Sequence, residues 1–334
     1  MPGPASAFAP ALVLRNAHLQ TIAANLLPRR RPALPAGERV LLRAPDGVPL
    51  VARIHWQPGP RDASPAVVLI HGLEGNADTH YVVGAAAKLL AAGWHVIRLN
   101  LRGCGEGEAL TPTLHHGGRS DDLAAVLTQL RRDFGLATLA VLGFSLGGAL
   151  VLRLLGERGA VPGLIAAVAL SPLLNPEHVQ RHLDRPGSVV YRRFFLHLMA
   201  WRLRRRAALF PRHFPAGERF TADRVEDFDD RHTAPRIGRA SARDYYRSAD
   251  ALPLLANITT PTLLVHAQDD PIVPFAGLQH ADFGAHVRTE FPRHGGHLGF
   301  YRRAPGSDGY WAEDRAVAFL DQARAAARPA QHAA

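Results

Sequence analysis

Three polar residues have the types and the chain order that nucleophilic catalysis requires. Ser145 is the centre of a Gly-x-Ser-x-Gly motif at residues 143–147, Asp270 follows an apolar run, and His297 comes after two glycines. A serine hydroxyl attacks a carbonyl only when a base removes its proton, and histidine is such a base when a carboxylate fixes its tautomer. The residues therefore predict acyl transfer through an acyl-enzyme, with Ser145 as the nucleophile, His297 as the base and Asp270 as the acid that orients it.

The serine motif lies where an apolar run typical of a buried strand meets a helix-forming run. Gly143 and Gly147 would let the strand and the helix approach closely, and the sharp turn would expose the Ser145 side chain at the carboxyl edge of a sheet. Leu146 would open the helix, where backbone N–H groups lack partners and the dipole favours negative charge. The N–H of Leu146 is therefore one expected donor to an oxyanion.

The second oxyanion donor is expected after another buried-strand run, residues 66–70, which leads into His71-Gly72-Leu73. A strand followed by His-Gly and a Gly-rich loop is where serine hydrolases with this kind of turn place that donor. The backbone N–H of Leu73 is the candidate. His71 follows the strand directly, and this position favours a role in shaping the loop over a role as the base.

Two neighbouring residues compete for the role of the acid, and two for the role of the base. Asp269 and Asp270 both follow a late strand, and Asp270 has the better spacing to the Ile-Val-Pro turn at residues 272–274, so Asp269 is the reserve. His294 and His297 both lie on the loop after the last strand. His297, between glycine and apolar residues, is the better candidate for the base.

Other residues that could do chemistry have weaker settings. Cys104 is the single cysteine, so an intrachain disulfide framework and a Cys-rich zinc site are excluded, and nothing favours it over Ser145 as nucleophile. The glycines after Arg102 lack the Gly-Lys-Ser or Gly-Lys-Thr of a phosphate-binding loop, so Arg102 is expected to tie down loops. His18 is interpreted as a structural hydrogen-bonding group. The predicted chemistry requires no metal and no organic cofactor.

The charge of the chain could suggest a nucleic-acid partner, but its distribution argues against one. The formal net charge of the 334 residues is +10, yet Lys88 is the only lysine and the arginines are spread along the chain without a nucleic-acid-binding motif. Residues 1–10 lack a basic segment followed by an apolar core, and no uninterrupted apolar run reaches the ~18 residues that span a bilayer. We therefore expect a cytoplasmic protein that binds a small molecule and no nucleic acid.

The remaining patterns predict the elements that must position the three residues. Two alternating runs around Pro45-Asp46-Gly47 predict an antiparallel hairpin at the edge of a sheet. Further strands and helices are predicted at residues 66–70, 81–92, 95–99, 120–134 (capped by Ser120), 138–142, 146–155, 164–170, 261–266, 287–291 and 311–327. This order predicts an α/β fold with a mostly parallel central sheet, an antiparallel N-terminal hairpin and helices on both faces.

The domain organisation is one core interrupted by an insertion. We expect an N-terminal arm at residues 1–37, a core at 38–171 and 251–334, and a helical cap at 172–250. The arginine-rich, aromatic helix predicted at 189–210 would either line a pocket with its apolar side and hold its arginines in water, or lie at an anionic membrane surface. The first interpretation is favoured, and the second leaves a weak peripheral membrane contact through the cap as a prediction.

Six segments together resemble a known family. They are NAHLQT at 16–21, HGLEG at 71–75, NLRGCG at 100–105, GFSLGG at 143–148, DDP at 269–271 and GGHLGF at 295–300. The chain resembles the YheT-like branch of the α/β-hydrolases, which also includes animal lipases and phospholipases with a membrane anchor. The Gly-x-Ser-x-Gly and His-Gly segments are common to the superfamily, whereas the His-Leu-Gln-Thr arm is specific to the branch. The resemblance implies the α/β-hydrolase fold and a serine esterase or lipase.

Carboxylic ester hydrolysis is therefore the expected function. An acyltransferase would use the same residues if an alcohol or amine outcompeted water at the acyl-enzyme. A non-catalytic protein that binds an acyl ligand is the alternative outside enzymes. Failure to react with a fluorophosphonate probe would favour that alternative.

Overall fold

The computed structural model describes residues 8–27, 29, 33–303 and 306–327, and an eight-stranded sheet runs through them. The strands are β1 (Glu38–Arg43), β2 (Pro49–His55), β3 (Ala66–Ile70), β4 (His95–Leu99), β5 (Leu139–Phe144), β6 (Leu164–Leu170), β7 (Thr262–Val265) and β8 (Val287–Glu290). Their order across the sheet is β1-β2-β4-β3-β5-β6-β7-β8.

The sheet combines an antiparallel edge with a parallel centre. Strand β2 pairs antiparallel with β1 and with β4, whereas all pairs from β4 through β3 to β8 are parallel. Every residue of β3, β4 and β5 is buried, as parallel strands covered on both faces require. The predicted mostly parallel sheet with an N-terminal hairpin is confirmed, and the carboxyl ends of its parallel strands meet at one edge.

Helices cover both faces of the sheet. They are α1 (Ala17–Leu26), α2 (His80–Ala91), α3 (Ser120–Phe134), α4 (Leu146–Arg158), α5 (Pro176–Leu183), α6 (Val189–Leu209), α7 (Val225–Phe228), α8 (Ala234–Arg236), α9 (Ala242–Ala249) and α10 (Trp311–Ala327). Side chains of β5 point alternately to the two faces of the sheet. Leu139 and Val141 pack with α3 and α4 on one face, and Leu142 and Phe144 pack with α2 and α10 on the other.

Helices α5 to α9 all lie between β6 and β7, above the carboxyl edge of the sheet. Helix α7 continues into α8 through a π-helical turn, Asp229–Thr233. Helices α5, α6 and α7 share a third hydrophobic cluster that includes Leu183, Leu203 and Phe228, together with Phe214 of a connecting segment. The segment is helical as predicted, and the division into an arm, a core and a cap at the stated limits stays a prediction.

Two local expectations differ from the structure or lie outside it. Ser120 is not the cap of α3 but its first residue, after Arg119, and its hydroxyl donates instead to Glu157 (2.5 Å). The serine therefore joins α3 to α4, a contact that a local capping pattern cannot reveal. The terminal segment 328–334, which the sequence suggests is frayed, lies outside the described residues.

Candidate active site

Ser145 occupies a strained turn between β5 and α4. Its backbone has φ 51° and ψ −114°, a conformation that L-residues with a side chain rarely adopt. A Cβ on Gly143 would collide with the carbonyl oxygen of Gly147, and one on Gly147 would collide with the carbonyl oxygens of Ile70 and His71. The two glycines are therefore needed for the close approach of strand and helix, as the motif predicts.

Ser145, His297 and Asp270 form a continuous hydrogen-bond chain. His297 Nε2 lies 3.0 Å from Ser145 Oγ, and His297 Nδ1 lies 2.8 Å from Asp270 Oδ2. The carboxylate accepts the proton on Nδ1, so Nε2 carries the lone pair that faces the serine hydroxyl. All three side chains are buried, in loops that follow β5, β7 and β8.

The carboxylate of Asp270 is fixed by its own loop. Its Oδ1 accepts the backbone N–H groups of Ile272 and Val273, both at 2.9 Å. Burial alone would raise the pKa of Asp270, but the charge and the hydrogen bond of His297 outweigh it and hold that pKa below its usual value. Asp270 is therefore ionised at neutral pH. Its carboxylate stays ionised when His297 becomes charged, and it can stabilise that charge.

The two reserve residues, Asp269 and His294, pair with each other rather than with the serine. His294 Nδ1 lies 3.3 Å from Asp269 Oδ2, and Asp269 Oδ1 accepts the backbone N–H of Gly296 at 2.9 Å. Both residues are partly exposed, unlike Asp270 and His297. The second pair thus holds the end of the loop on which His297 lies.

The two candidate oxyanion donors are Leu146, which follows the serine, and Leu73, on the loop that packs against it. Leu146 is the first residue of α4, and neither its N–H nor that of Leu73 donates to an acceptor within the described part of the chain. Close packing of the two loops is visible at Gly72, where an added Cβ would lie 3.1 Å from the Cβ of Ser145. Both N–H groups therefore remain available for the predicted oxyanion role.

His71 joins two loops and does not contact the serine. Its Nδ1 lies 2.8 Å from the carbonyl oxygen of Gly72, and its Nε2 accepts the N–H of Leu101 at 3.1 Å. Both ring nitrogens are used only if the imidazole is neutral with the proton on Nδ1. Complete burial lowers the pKa of His71 to about 4, in agreement with that neutral form. His71 shapes the loop that carries Leu73.

A buried ion pair connects the cap to the same loop. Arg202 of α6 lies 2.8 Å from Glu74 Oε2, and its other nitrogen contacts Cys104 Sγ at 2.6 Å and the carbonyl oxygen of Gly103 at 3.1 Å. Arg206, one turn later, is fully buried and donates to the same carbonyl at 2.7 Å. The expectation that all cap arginines lie in water is therefore wrong for these two. Both donate to the carbonyl oxygen of Gly103 beneath the helix, and Arg202 also pairs with Glu74.

Cys104 is enclosed by this cluster. Its thiol is completely buried, and burial raises its pKa despite the neighbouring Arg202. A buried thiol with a raised pKa is a poor nucleophile, which agrees with the preference for Ser145. Arg102 instead holds loops together, through Asp46 and Asp122 at 2.7–2.8 Å.

The N-terminal arm contacts the loop of His297. Thr21 Oγ1 accepts the backbone N–H of His297 at 2.9 Å. The side chain of Gln20 donates to the carbonyl oxygen of Tyr301 at 3.0 Å and accepts its N–H at 3.3 Å. A Cβ on Gly296 would collide with Thr21, so the glycine permits the close contact. Sequence reasoning missed these roles, although the His-Leu-Gln-Thr segment pointed to the arm.

Two cavities meet at Ser145 under the cap. The inner cavity, about 110 Å³, lies among apolar cap residues such as Val179 and Leu203. The outer cavity, about 780 Å³, is lined by His297 and by residues of α1 and α6, including His18 and Tyr191. His18 Nδ1 lies 2.8 Å from the Tyr191 hydroxyl, a contact that joins the arm to the cap at the cavity wall.

The described ranges contain neither a membrane-spanning helix nor a metal-binding cluster. None of the helices there is long and apolar enough to cross a membrane. No group of three or more histidine, cysteine, aspartate and glutamate side chains in those ranges is arranged to hold a metal ion.

Comparison with known proteins identifies the family. A family model for the alpha/beta hydrolase fold matches residues 65–304. The chain is 32% identical over 313 residues to a protein of Escherichia coli (strain K12) named "Putative esterase YheT", covering 92% of this chain and 91% of that protein. It is 27% identical over 262 residues to a "Monoacylglycerol lipase" of Saccharomyces cerevisiae, covering 75% of this chain and 58% of that protein.

A solved structure shares the fold. The esterase Pf2001 of Pyrococcus furiosus superposes with a TM-score of 0.57 at 16% identity, covering 88% of this chain and 98% of that one. Together with the family match, this likeness confirms the fold and the resemblance expected from the six sequence segments.

Proposed function

Because the chain belongs to the α/β-hydrolase family, in its YheT-like branch, we propose that it hydrolyses carboxylic esters with Ser145 as the nucleophile. The observation that carries the proposal is the hydrogen-bond chain from Asp270 through His297 to Ser145, with distances of 2.8 and 3.0 Å. Relatives named as an esterase, a monoacylglycerol lipase and a phospholipase support an ester as the substrate.

The reaction proceeds in two halves through an acyl-enzyme. His297 Nε2 takes the proton of Ser145 Oγ as that oxygen attacks the ester carbonyl, and Asp270 stabilises the resulting imidazolium. The N–H groups of Leu73 and Leu146 bind the oxyanion, for which one such donor contributes about 3 kcal/mol in other serine hydrolases. His297 then protonates the leaving alcohol, and afterwards activates the water that releases the acid.

The two cavities divide the substrate at the serine. His297 lines the outer cavity, and it must protonate the leaving oxygen, so the alcohol portion lies on that side. The acyl portion then extends into the smaller inner cavity beneath the cap. The ligand is a small-molecule ester, with either a short- to medium-chain acyl group or a lipid-like one. A cytoplasmic location stays a prediction from composition.

Ester hydrolysis by matched serine variants tests the proposal. Purified protein is assayed with p-nitrophenyl esters of increasing acyl length, next to Ser145→Ala and Ser171→Ala. Ser171 is a control for a structural effect, because it is another buried serine with positive φ at the end of a neighbouring strand, and its hydroxyl accepts the backbone N–H of Leu298 (3.3 Å) without a hydrogen bond to the ring of His297. We expect kcat/KM to fall by about 10⁴-fold or more for Ser145→Ala and far less for Ser171→Ala. Wild-type rates in Ser145→Ala would refute the assignment.

A further inference from the structure

The outer cavity opens through a rim of exposed apolar side chains. Ile22 and Leu26 of α1 are 50% and 78% exposed, and Val190 and Phe194 of α6 are 74% and 56% exposed. All four also line the cavity that contains Ser145. Exposed apolar side chains clustered at the mouth of a cavity indicate a surface that binds another apolar surface or a membrane. We call these four residues the mouth rim.

The exposed face of α6 extends this rim with aromatic and cationic side chains. Val190, Arg193, Phe194, Trp201 and Arg204 are all exposed, and their spacing of three, four or seven residues places them on one face of the helix. This face therefore combines apolar and aromatic side chains with one exposed arginine near each end.

The two segments that form the mouth carry no negative charge. Residues 12–27 and 186–217 contain no aspartate and no glutamate, although arginines occur in both. Helix α6 has six arginines. Arg205 pairs at the surface with Glu108 (2.6 Å), Arg202 and Arg206 are buried, and Arg192 is half-buried and donates to the carbonyl oxygen of Asp184 (3.0 Å). The exposed ones that remain are Arg193 and Arg204. An apolar rim with cations and without acids is complementary to an anionic lipid surface.

We propose that the mouth rim and the exposed face of α6 dock on an anionic lipid surface, so that the outer cavity faces the lipid. The docking itself is independent of catalysis. Only the second step, the entry of a lipid-borne ester from that surface to Ser145, rests on the proposed function. A second copy of the chain fits this surface less well, because self-pairing of two such faces would juxtapose arginines.

Vesicle flotation measures the docking directly. Ser145→Ala protein is mixed with vesicles of phosphatidylcholine alone or with one third phosphatidylglycerol, at ~0.1 M and ~0.5 M salt. We expect at least tenfold more bound protein on the anionic vesicles, with a loss at high salt because the exposed arginines are screened.

Four variants locate the surface. Val190→Ser with Phe194→Ser, and Arg193→Glu with Arg204→Glu, should each reduce binding at least tenfold. Arg193→Lys with Arg204→Lys keeps the charge and should bind as the parent does. Leu41→Ser is the matched apolar control, since Leu41 is 54% exposed on the edge strand β1. Thermal melting of each variant checks that these surface changes leave the fold intact.

The outcomes separate the docking surface from the proposed function. Absence of binding to anionic vesicles, or binding that survives the α6 variants, overturns the docking proposal and leaves soluble-ester hydrolysis unaffected. A concentration-dependent dimer that the same variants abolish, without vesicle binding, also overturns it. Vesicle binding by a wild-type protein that hydrolyses no ester supports the surface and refutes the proposed function.

Discussion

At the scale of single residues, the site depends on the reacting side chains and equally on the hydrogen bonds that hold their backbone in place. His297 reaches Ser145 and Asp270 through its two ring nitrogens, but the position of its ring is set by its backbone. Thr21, near the opposite end of the sequence, accepts the backbone N–H of His297 (2.9 Å). The arm is therefore part of what positions the base.

Replacing Thr21 by valine should impair turnover more than binding. Valine keeps the shape and removes the acceptor, so the buried N–H of His297 loses its partner, at a typical cost of about 1–3 kcal/mol. We expect kcat for a p-nitrophenyl ester to fall about tenfold with little change in KM, and Thr21→Ser to restore it.

Thr128 provides the matched control for this substitution. Like Thr21, it donates from its hydroxyl to the carbonyl four residues earlier in a helix, but on the exposed side of α3. Thr128→Val should leave kcat unchanged. Equal effects of the two valine substitutions would contradict a positioning role for Thr21.

The roles of individual residues were predictable to different degrees. The choice of Asp270 and His297 over their neighbours followed from local spacing, and the structure brings these two together with Ser145. Thr21 could not be chosen in that way, because its partner is 276 residues away and its threonine hydroxyl also makes an ordinary helical bond to Ala17. Only contact across the fold distinguishes it from any other helical threonine.

At the scale of elements, helix α6 joins the cap to the loop that carries Leu73. The connection is the buried pair of Arg202 and Glu74, and Glu74 itself has a positive φ of 58°. Burial acts to raise the pKa of Glu74, and Arg202 offsets this only in part. The buried carboxylate of Glu74 therefore depends on the charge of Arg202 for its stability.

Removing only the arginine should therefore destabilise the protein strongly. Arg202→Met leaves Glu74 buried without its partner, and such a change typically costs about 3–5 kcal/mol of unfolding free energy. Adding Glu74→Gln should recover part of that loss, since the amide carries no charge. Urea unfolding of the two single variants and the double variant measures the coupling.

Arg205 is the matched control on the same helix. Its pair with Glu108 lies at the surface, where solvent screens the charges. Arg205→Met should leave the unfolding transition unchanged. If Arg202→Met were as mild as Arg205→Met, the buried pair would not connect the cap to the loop.

Element boundaries in the core were predicted well, whereas the side chains of α6 were not. The strand at residues 66–70 was identified from its run of apolar residues, all of them buried in β3. In α6, the pattern placed every arginine in water, because periodicity cannot register that Gly103 and Glu74 lie beneath Arg202. The acceptors come from loops 99 and 128 residues earlier in the chain.

At the scale of the whole molecule, many neutral histidines are built into the interior. Burial lowers the pKa of seven histidines, to about 4 for His55 and His71 and to about 3 for His116, and in the same direction for His95, His115, His178 and His266. His55 also accepts a hydrogen bond from Arg98 (3.0 Å), which a protonated ring could not do.

Stability should therefore fall as pH falls from about 6.5 towards 4. Below pH 6.5 the unfolded chain protonates these histidines while the folded protein does not, so protons favour unfolding. Burial raises the pKa of Asp229 to about 6 and also raises the pKa values of Glu74 and Glu313, which acts in the opposite direction, but these three groups are fewer than the histidines. Urea unfolding at pH 8, 6.5 and 5 should give steadily lower free energies.

A histidine variant tests the cause of this dependence. His116→Asn keeps an acceptor for the N–H of Gly118 and removes the titrating ring. Its unfolding free energy should depend on pH less steeply, by up to about 1.4 kcal/mol per pH unit. Stability that is equal or higher at pH 5 than at pH 8 would contradict the account.

The measurement that tests the central claim most directly is covalent labelling by a fluorophosphonate, followed by peptide mass spectrometry. A fluorophosphonate reacts with a serine that a histidine activates, so the account predicts one adduct, on Ser145. Labelling should be absent in Ser145→Ala and strongly slowed in His297→Ala, whereas Cys104→Ala should be labelled like the wild type. A folded wild-type protein that remains unlabelled, or an adduct elsewhere than Ser145, would contradict the account.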